Sequence, residues 1–222
     1  MVEAIIFDHD GVMVDTEPLQ SKAWIEMLKK YGKEPELYEN GLVHIVGISI
    51  DENWKILKEK YNVEEEIDCL EEQRGKIYFN LLKGAQPIEG LMDLLKNLNK
   101  EKISKGIMLA IASSSNKEYI EAVVKKFGFE KMFDLIVTRK DVEKGKPNPD
   151  IYLKVANEFR VKPSDCVVLE DSQTGVEAGY HAGMKVIAIP NEYTLAHDFS
   201  KANKIISSLK EIDLNLINCL YD

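Results

Sequence analysis

The sequence predicts an α/β protein: a doubly wound, Rossmann-like parallel sheet with a helical cap inserted after its first strand. Three observations predict it. Short apolar runs alternate with helical stretches from residue 86 onward, the rhythm of parallel strands covered on both faces. No strand pattern occurs between Asp15 and Lys83, where apolar residues recur at helical spacing instead. And the first strand ends in two carboxylates one residue apart, Asp8 and Asp10, which are costly behind buried chain unless a ligand or metal holds them.

The first strand is Val2 to Phe7. Asp15-Thr16-Glu17-Pro18 interrupts, with Pro18 suited to a first helical turn. Leu19, Ala23, Trp24, Met27, Leu28 and Tyr31 then fall on one helix face, with Gln20, Lys22, Glu26, Lys29 and Lys30 opposite. Ile50, Trp54, Leu57 and Tyr61 form a second stripe, and a third helix spans Glu64 to Leu82. The Trp24 and Trp54 stripes read as cap core. After Gly84-Ala85-Gln86-Pro87 the order is helix Gly90 to Asn99, strand Ile107 to Ala112, a helix carrying Ile120, Val123, Val124 and Phe127, and strand Asp134 to Val137. Helix Asp150 to Phe159, strand Cys166 to Leu169, helix Thr174 to Ala182 and strand Val186 to Ile189 follow. A short strand Lys204 to Ile206 and a terminal helix close the series. The expected division is residues 1–15 and 86–222 as the α/β core and 16–85 as the cap. Hinges at Asp15–Pro18 and Gly84–Pro87 make the cap a natural lid.

Bulk properties narrow the function. A chain of 222 residues can bury one good core, or one core plus a small attached unit. A net charge of −9 argues against a nucleic-acid partner. No apolar run approaches a membrane span and no signal peptide opens the chain, so a cytoplasmic protein without membrane attachment is expected, and a monomer since the fold needs no partner. Cys69, Cys166 and Cys219 lack metal or redox spacing, and Cys166 reads as a small buried residue.

The candidate site residues each follow a predicted strand. Ser113, Ser114 and Ser115 lead from a strand into a helix, where hydroxyls and free N–H groups suit an anion. Lys146 sits in Gly145-Lys146-Pro147-Asn148-Pro149-Asp150, a rigid loop with Asp150 as a fair N-cap. Glu170-Asp171 follows Val167-Val168-Leu169, and capping of the next helix by Asp171 or Ser172 is the plainer reading of that pair. Together the residues fit phosphoryl chemistry. Asp8 would attack phosphorus, and Asp10 would protonate the leaving oxygen and then activate water. Ser113 would hold a phosphate oxygen. Lys146 and a Mg²⁺ ion on Asp8, the Asp10 carbonyl and Asp171 would offset the gathered charge. A calcium loop starting at Asp8 fails, because Gly11 comes too early and Leu19 stands where the last carboxylate belongs.

With these motifs in place, the chain resembles the haloacid dehalogenase superfamily of phosphotransferases. The likeness runs through Phe7-Asp8-His9-Asp10-Gly11-Val12, Ala112-Ser113, Gly145-Lys146-Pro147 with Pro149-Asp150, and Glu170-Asp171-Ser172 with Gly175. It implies that Asp8 forms an aspartyl-phosphate, that Asp10 is the general acid and base, and that Ser113 and Lys146 bind phosphate. It also implies that Asp8, Asp10 through its carbonyl, Asp171 and Glu170 (directly or through water) hold Mg²⁺. The second aspartate, Asp10, favours phosphate esters over carbon–halogen bonds. The cap resembles that of β-phosphoglucomutases and sugar-phosphate phosphatases, with two departures. Gln20 stands where those mutases have histidine, and Ile50 where they have the arginine that grips a second phosphate. Hydrolysis of a small phosphorylated metabolite is therefore expected ahead of mutase activity, with a non-catalytic binder third. Glu17, Gly47 and Lys76 are the cap positions expected to meet substrate. Arg74 and Lys117 are further cations that could replace the missing arginine, and His44 a histidine that could face substrate. His9 is expected to pack under the strand, and His181 and His197 to lie at the surface.

Overall fold

The computed structural model describes residues 1–221. It divides into two compact units, Met1–Val14 with Gln86–Asp222, and Asp15–Ala85. The larger is a six-stranded, wholly parallel sheet: β1 (Ala4–Phe7), β2 (Met108–Ser113), β3 (Leu135–Thr138), β4 (Cys166–Glu170), β5 (Lys185–Ala188) and β6 (Lys204–Ile205). Their order is β3-β2-β1-β4-β5-β6. The chain thus builds outward from β1 in one direction, then returns and builds the other way. β1 is central and buried along its whole length, which is why its apolar residues are continuous rather than alternating.

The two faces of the sheet bury separate sets of side chains. Ile5, Phe7, Leu109, Ile111, Val167 and Leu169 pack on one face with α4 (Leu91–Lys105) and α5 (Lys117–Phe127). Ala4, Ile6, Ala110, Ala112, Cys166 and Val168 pack on the other with α6 (Asp150–Phe159) and α7 (Gln173–His181). Each fully buried branched aliphatic or aromatic side chain contributes roughly 1.5–3 kcal/mol over exposure. A short helix, α8 (Leu214–Asn218), ends the unit.

The sequence ends α4 at Asn99, but it continues to Lys105. Lys100–Lys105 resembles a solvated loop in composition. It is instead an exposed helical turn and a half, closed by Gly106 at φ +72° and supported by a Lys105–Glu101 pair at 3.1 Å. Asp150, expected as an N-cap, is the first residue inside α6 and accepts the Lys144 N–H at 3.2 Å.

The smaller unit packs α1 (Glu17–Lys30), α2 (Ile50–Tyr61) and α3 (Ile67–Leu81) around Trp24, Met27, Leu28, Trp54, Leu57 and Leu70. Trp24 and Trp54 meet edge to face with centroids 4.3 Å apart. α2 starts in a capping box, Ser49 with Glu52. Among the described residues, no helix is long and apolar enough to cross a membrane.

Candidate active site

Register brings the site together. β1 pairs with both neighbours, Phe7 opposite Ile111 on β2 and opposite Leu169 on β4. The next residues along those strands, Asp8, Ala112 and Glu170, therefore reach the C-terminal edge level with one another. This edge is where the winding direction reverses, and ligands in open α/β sheets bind there.

Lys146 ties the three strand ends. Its Nζ donates to Asp8 Oδ1 at 2.5 Å, to Glu170 Oε1 at 2.6 Å and to the Ala112 carbonyl at 3.1 Å. The chain approaches through a cis Lys146–Pro147 bond. Burial pushes the Asp8 carboxyl up to about 7, with Lys146 pulling against that and Glu170 and Asp10 adding repulsion. Burial also presses the Lys146 ammonium toward neutrality, but Asp8 and Glu170 outweigh it and hold Lys146 well above its ordinary range.

Glu170 is wholly buried and bonded at both oxygens. Oε1 accepts from Lys146 and from the Tyr152 hydroxyl, the latter at 2.7 Å. Oε2 accepts the backbone N–H groups of Asp171 and Ser172, at 3.1 and 3.2 Å, and the Ser172 hydroxyl at 3.0 Å. Ser172 also caps α7 through the Gly175 N–H. Gly175 is required here, since a Cβ on it would lie 1.7 Å from Glu170 Oε1.

After β1 the chain turns tightly, Gly11 N–H donating to the Val14 carbonyl at 2.8 Å. Gly11 has φ +76°, and a Cβ there would sit 2.0 Å from Asp171 Oδ2. Asp10 Oδ2 accepts the hydroxyls of Ser115 at 2.7 Å and Ser113 at 3.2 Å. The predicted phosphate-binding hydroxyl of Ser113 thus meets Asp10, and it accepts the Ser115 N–H at 3.0 Å. Ser114 is exposed. His9 is fully buried between the two aspartates, its Nδ1 3.4 Å from Asp10 Oδ1.

Asp8, Glu170 and Asp171 place carboxylate oxygens within 4.8 Å of one another, all three buried. Among the described residues, Lys146 is the cation bonded to this cluster, at Asp8 and Glu170. Three buried carboxylates gathered this closely present hard oxygen donors, which suits a divalent cation such as Mg²⁺.

The helical unit places its predicted residues differently. Glu17 accepts from His44 Nε2 at 2.7 Å, and the His44 ring stacks on Trp24 with centroids 6.4 Å apart. Both residues line a cavity of about 100 Å³ with Gln20, Gly47 and Ile50. One expectation about the helical unit is corrected. Arg74 is no available cation: it is fully buried, gripped by both oxygens of Glu71 at 2.7 Å each, bonded to Gln20 at 2.6 Å and laid 4.7 Å over Trp24. A guanidinium with its fork filled and its face on an aromatic ring is a core element of this unit. Lys76 is exposed and paired with Glu72 at 2.6 Å, four residues away on its own helix. In the larger unit Lys117 is exposed at the start of α5. His197 is half-buried rather than at the surface, and its Nδ1 accepts the Gln173 N–H at 3.3 Å.

Three site residues escape the sequence reading: Tyr152, Asn191 and, as a partner of Glu170, Ser172. Tyr152 is one of the apolar stripe of α6, and its hydroxyl gives no sequence signal of its own. Asn191 donates to Asp171 Oδ2 at 2.7 Å from the loop after β5. The signal that finds it is position, a polar residue just past a buried strand.

Residues 5–189 match the haloacid dehalogenase-like hydrolase family. The chain belongs to that family. It is 32% identical over 212 residues to a phosphorylated carbohydrates phosphatase of Thermotoga maritima, covering 93% of this chain and 91% of that protein. It is 31% identical to the bifunctional riboflavin kinase/FMN phosphatase of Arabidopsis thaliana, covering 95% of this chain but 54% of that protein. The fold matches a crystal structure of β-phosphoglucomutase from Clostridium difficile with a TM-score of 0.79 at 27% identity, across 100% of this chain and 97% of that one. Phosphate-ester chemistry, expected from Asp8 and Asp10, is thus the class for which these relatives are named.

Proposed function

We propose that this chain is a Mg²⁺-dependent phosphatase that hydrolyses a small phosphate monoester, a sugar phosphate among the candidates. The observation that carries the reading is the meeting of Asp8, Lys146 and Glu170 at 2.5 and 2.6 Å, from three separate segments of chain, at the reversal point of the sheet. An Asp8 carboxylate oxygen attacks phosphorus, the bond to the leaving oxygen breaks, and an aspartyl-phosphate forms. Asp10 gives its proton to the leaving oxygen, then takes one from the water that releases phosphate from Asp8. Ser113 and Ser115 fix the Asp10 carboxyl for both transfers. Lys146 offsets negative charge on Asp8 and on the transferred group. Asp8, Asp171 and the Asp10 carbonyl would hold Mg²⁺, which when bound supplies positive charge that keeps Asp8 ionised and screens the phosphate.

The similarity to a β-phosphoglucomutase structure favours a second reading, phosphomutase. The helical unit argues for hydrolysis. Its cavity is lined by Glu17, Gln20, His44 and Ile50 among others, with no lysine or arginine. Ile50 also stands where the mutases that this unit resembles carry the arginine that grips a second phosphate. The test is phosphate release from a panel of phosphate monoesters with Mg²⁺, with Asp8→Asn alongside. Turnover by Asp8→Asn at the wild-type rate sinks the nucleophile assignment. An isomerised sugar phosphate, with stimulation by a sugar bisphosphate, shifts the reading to the mutase.

A further inference from the structure

We infer that Asn191 is a positioning residue that orients Asp171 for a divalent cation, making the loop after β5 a fifth component of the site. The inference rests on reading Asp8 and Asp171 as the Mg²⁺ carboxylates. The contact is Asn191 Nδ2 donating to Asp171 Oδ2 at 2.7 Å. The amide cannot be turned the other way, because Asn191 Oδ1 accepts the Tyr193 N–H at 2.9 Å. The NH₂ end therefore faces the carboxylate.

The loop itself is held. The Asn191 N–H donates to Thr194 Oγ1 at 3.0 Å, and the Thr194 N–H returns to the Asn191 carbonyl at 3.0 Å. Thr194 is fully buried. Gly11 closes the other side, where a Cβ would meet Asp171 Oδ2 at 2.0 Å and Asn191 Nδ2 at 2.9 Å. The turn after β1, the end of β4 and the loop after β5 thus converge on one carboxylate.

The chemistry of the donor matters as much as its place. An ammonium against Asp171 would compete with a cation for the same charge. A neutral amide fixes the carboxylate and leaves its charge in force. Both Glu170 oxygens are spent on Lys146, Tyr152, Ser172 and backbone N–H groups. Cation binding then depends most on Asp8 and Asp171, and so on what orients Asp171. Partners of metal ligands typically change metal affinity by about 10–100-fold when removed.

The test is calorimetric titration of the metal-free protein with MgCl₂ alone, on wild type, Asp171→Asn, Asn191→Ala and Thr194→Val, with thermal melts of each. Asp171→Asn should abolish binding. Asn191→Ala should raise the Mg²⁺ Kd by roughly 10–100-fold while melting, without Mg²⁺, within a few degrees of wild type. Thr194→Val, which only loosens the loop, should move Kd in the same direction by less. An Asn191→Ala Kd within twofold of wild type, with Asp171→Asn losing binding, overturns the inference and spares the metal reading. Undiminished binding by Asp171→Asn overturns the metal reading and the inference with it. Should Asn191→Ala fail to fold, Thr194→Val decides, and an unchanged Kd there also overturns the inference.

Discussion

Gly175→Ala isolates the geometry around Glu170. The added Cβ would lie 1.7 Å from Oε1, 1.9 Å from Cδ and 2.3 Å from Oε2 of Glu170, so the carboxylate must retreat by about 1.7 Å to reach ordinary contact at 3.4 Å. A surface glutamate would do so at little cost. Glu170 is fully buried and holds five hydrogen bonds between 2.6 and 3.2 Å, most of which a shift of that size breaks. Bonds to a charged group contribute about 1.5–3 kcal/mol each, so losing two costs roughly 3–6 kcal/mol. Alanine returns about 1 kcal/mol through its better helix propensity in α7. The net expectation is a loss of roughly 2–5 kcal/mol, or about 5–15 °C in Tm for a chain of this size. Because Lys146 shares Oε1, phosphatase activity should fall by at least about 100-fold. Urea titration, a thermal melt and phosphate release on the same preparation measure all three. A Gly175→Ala protein as stable as wild type and still active would refute the claim that Glu170 is pinned.

Lys146→Ala leaves Asp8 and Glu170 buried without their cation. It should cost roughly 3–5 kcal/mol in urea titration at neutral pH, and because Lys146 holds the Asp8 value down, its loss should move Asp8 proton uptake to higher pH than in wild type. The Asp8 carboxyl has a folded-state value of about 7 against 3.8 when free. The folded state therefore binds that proton more tightly than the unfolded state, so stability of the metal-free protein should fall as pH rises from about 4 to 7. Asp8→Asn should remove that fall, and saturating Mg²⁺ should flatten it. For the same reason Mg²⁺ binding should release more protons at pH 6 than at pH 8, measurable by calorimetry in buffers of different ionisation enthalpy. Arg74→Met should destabilise the helical unit by breaking its bonds to Glu71 and Gln20, seen as faster proteolysis within residues 15–85.

The alternation of strands and helices is visible in sequence because a strand buried on both faces must be continuously apolar and a surface helix must be striped. Asp8, Lys146 and Glu170 are visible for a related reason: polar residues just past buried strands, or on rigid proline-bounded loops, stand out against their surroundings. What sequence could not decide is which of them touch. Arg74 and Lys76 look alike as spare cations in one helix, yet one fills the core against Trp24 and the other pairs at the surface with Glu72. Ser113 reads as an anion ligand, and its hydroxyl meets Asp10. Tyr152 is hidden because an aromatic ring on a helical stripe packs the same way with or without a bonded hydroxyl. Asn191 is hidden because its partner lies 20 residues away on another strand end.

Local pattern, set by the burial of each element, determined the class of fold and the acids and the lysine that gather at its edge. Hydrogen-bond partners depend on distances between elements far apart in the chain, and one rotamer can redirect them. Only the tertiary structure decided that Glu170 is fully engaged, that Lys146 joins it to Asp8, and that an asparagine beyond the last motif holds Asp171.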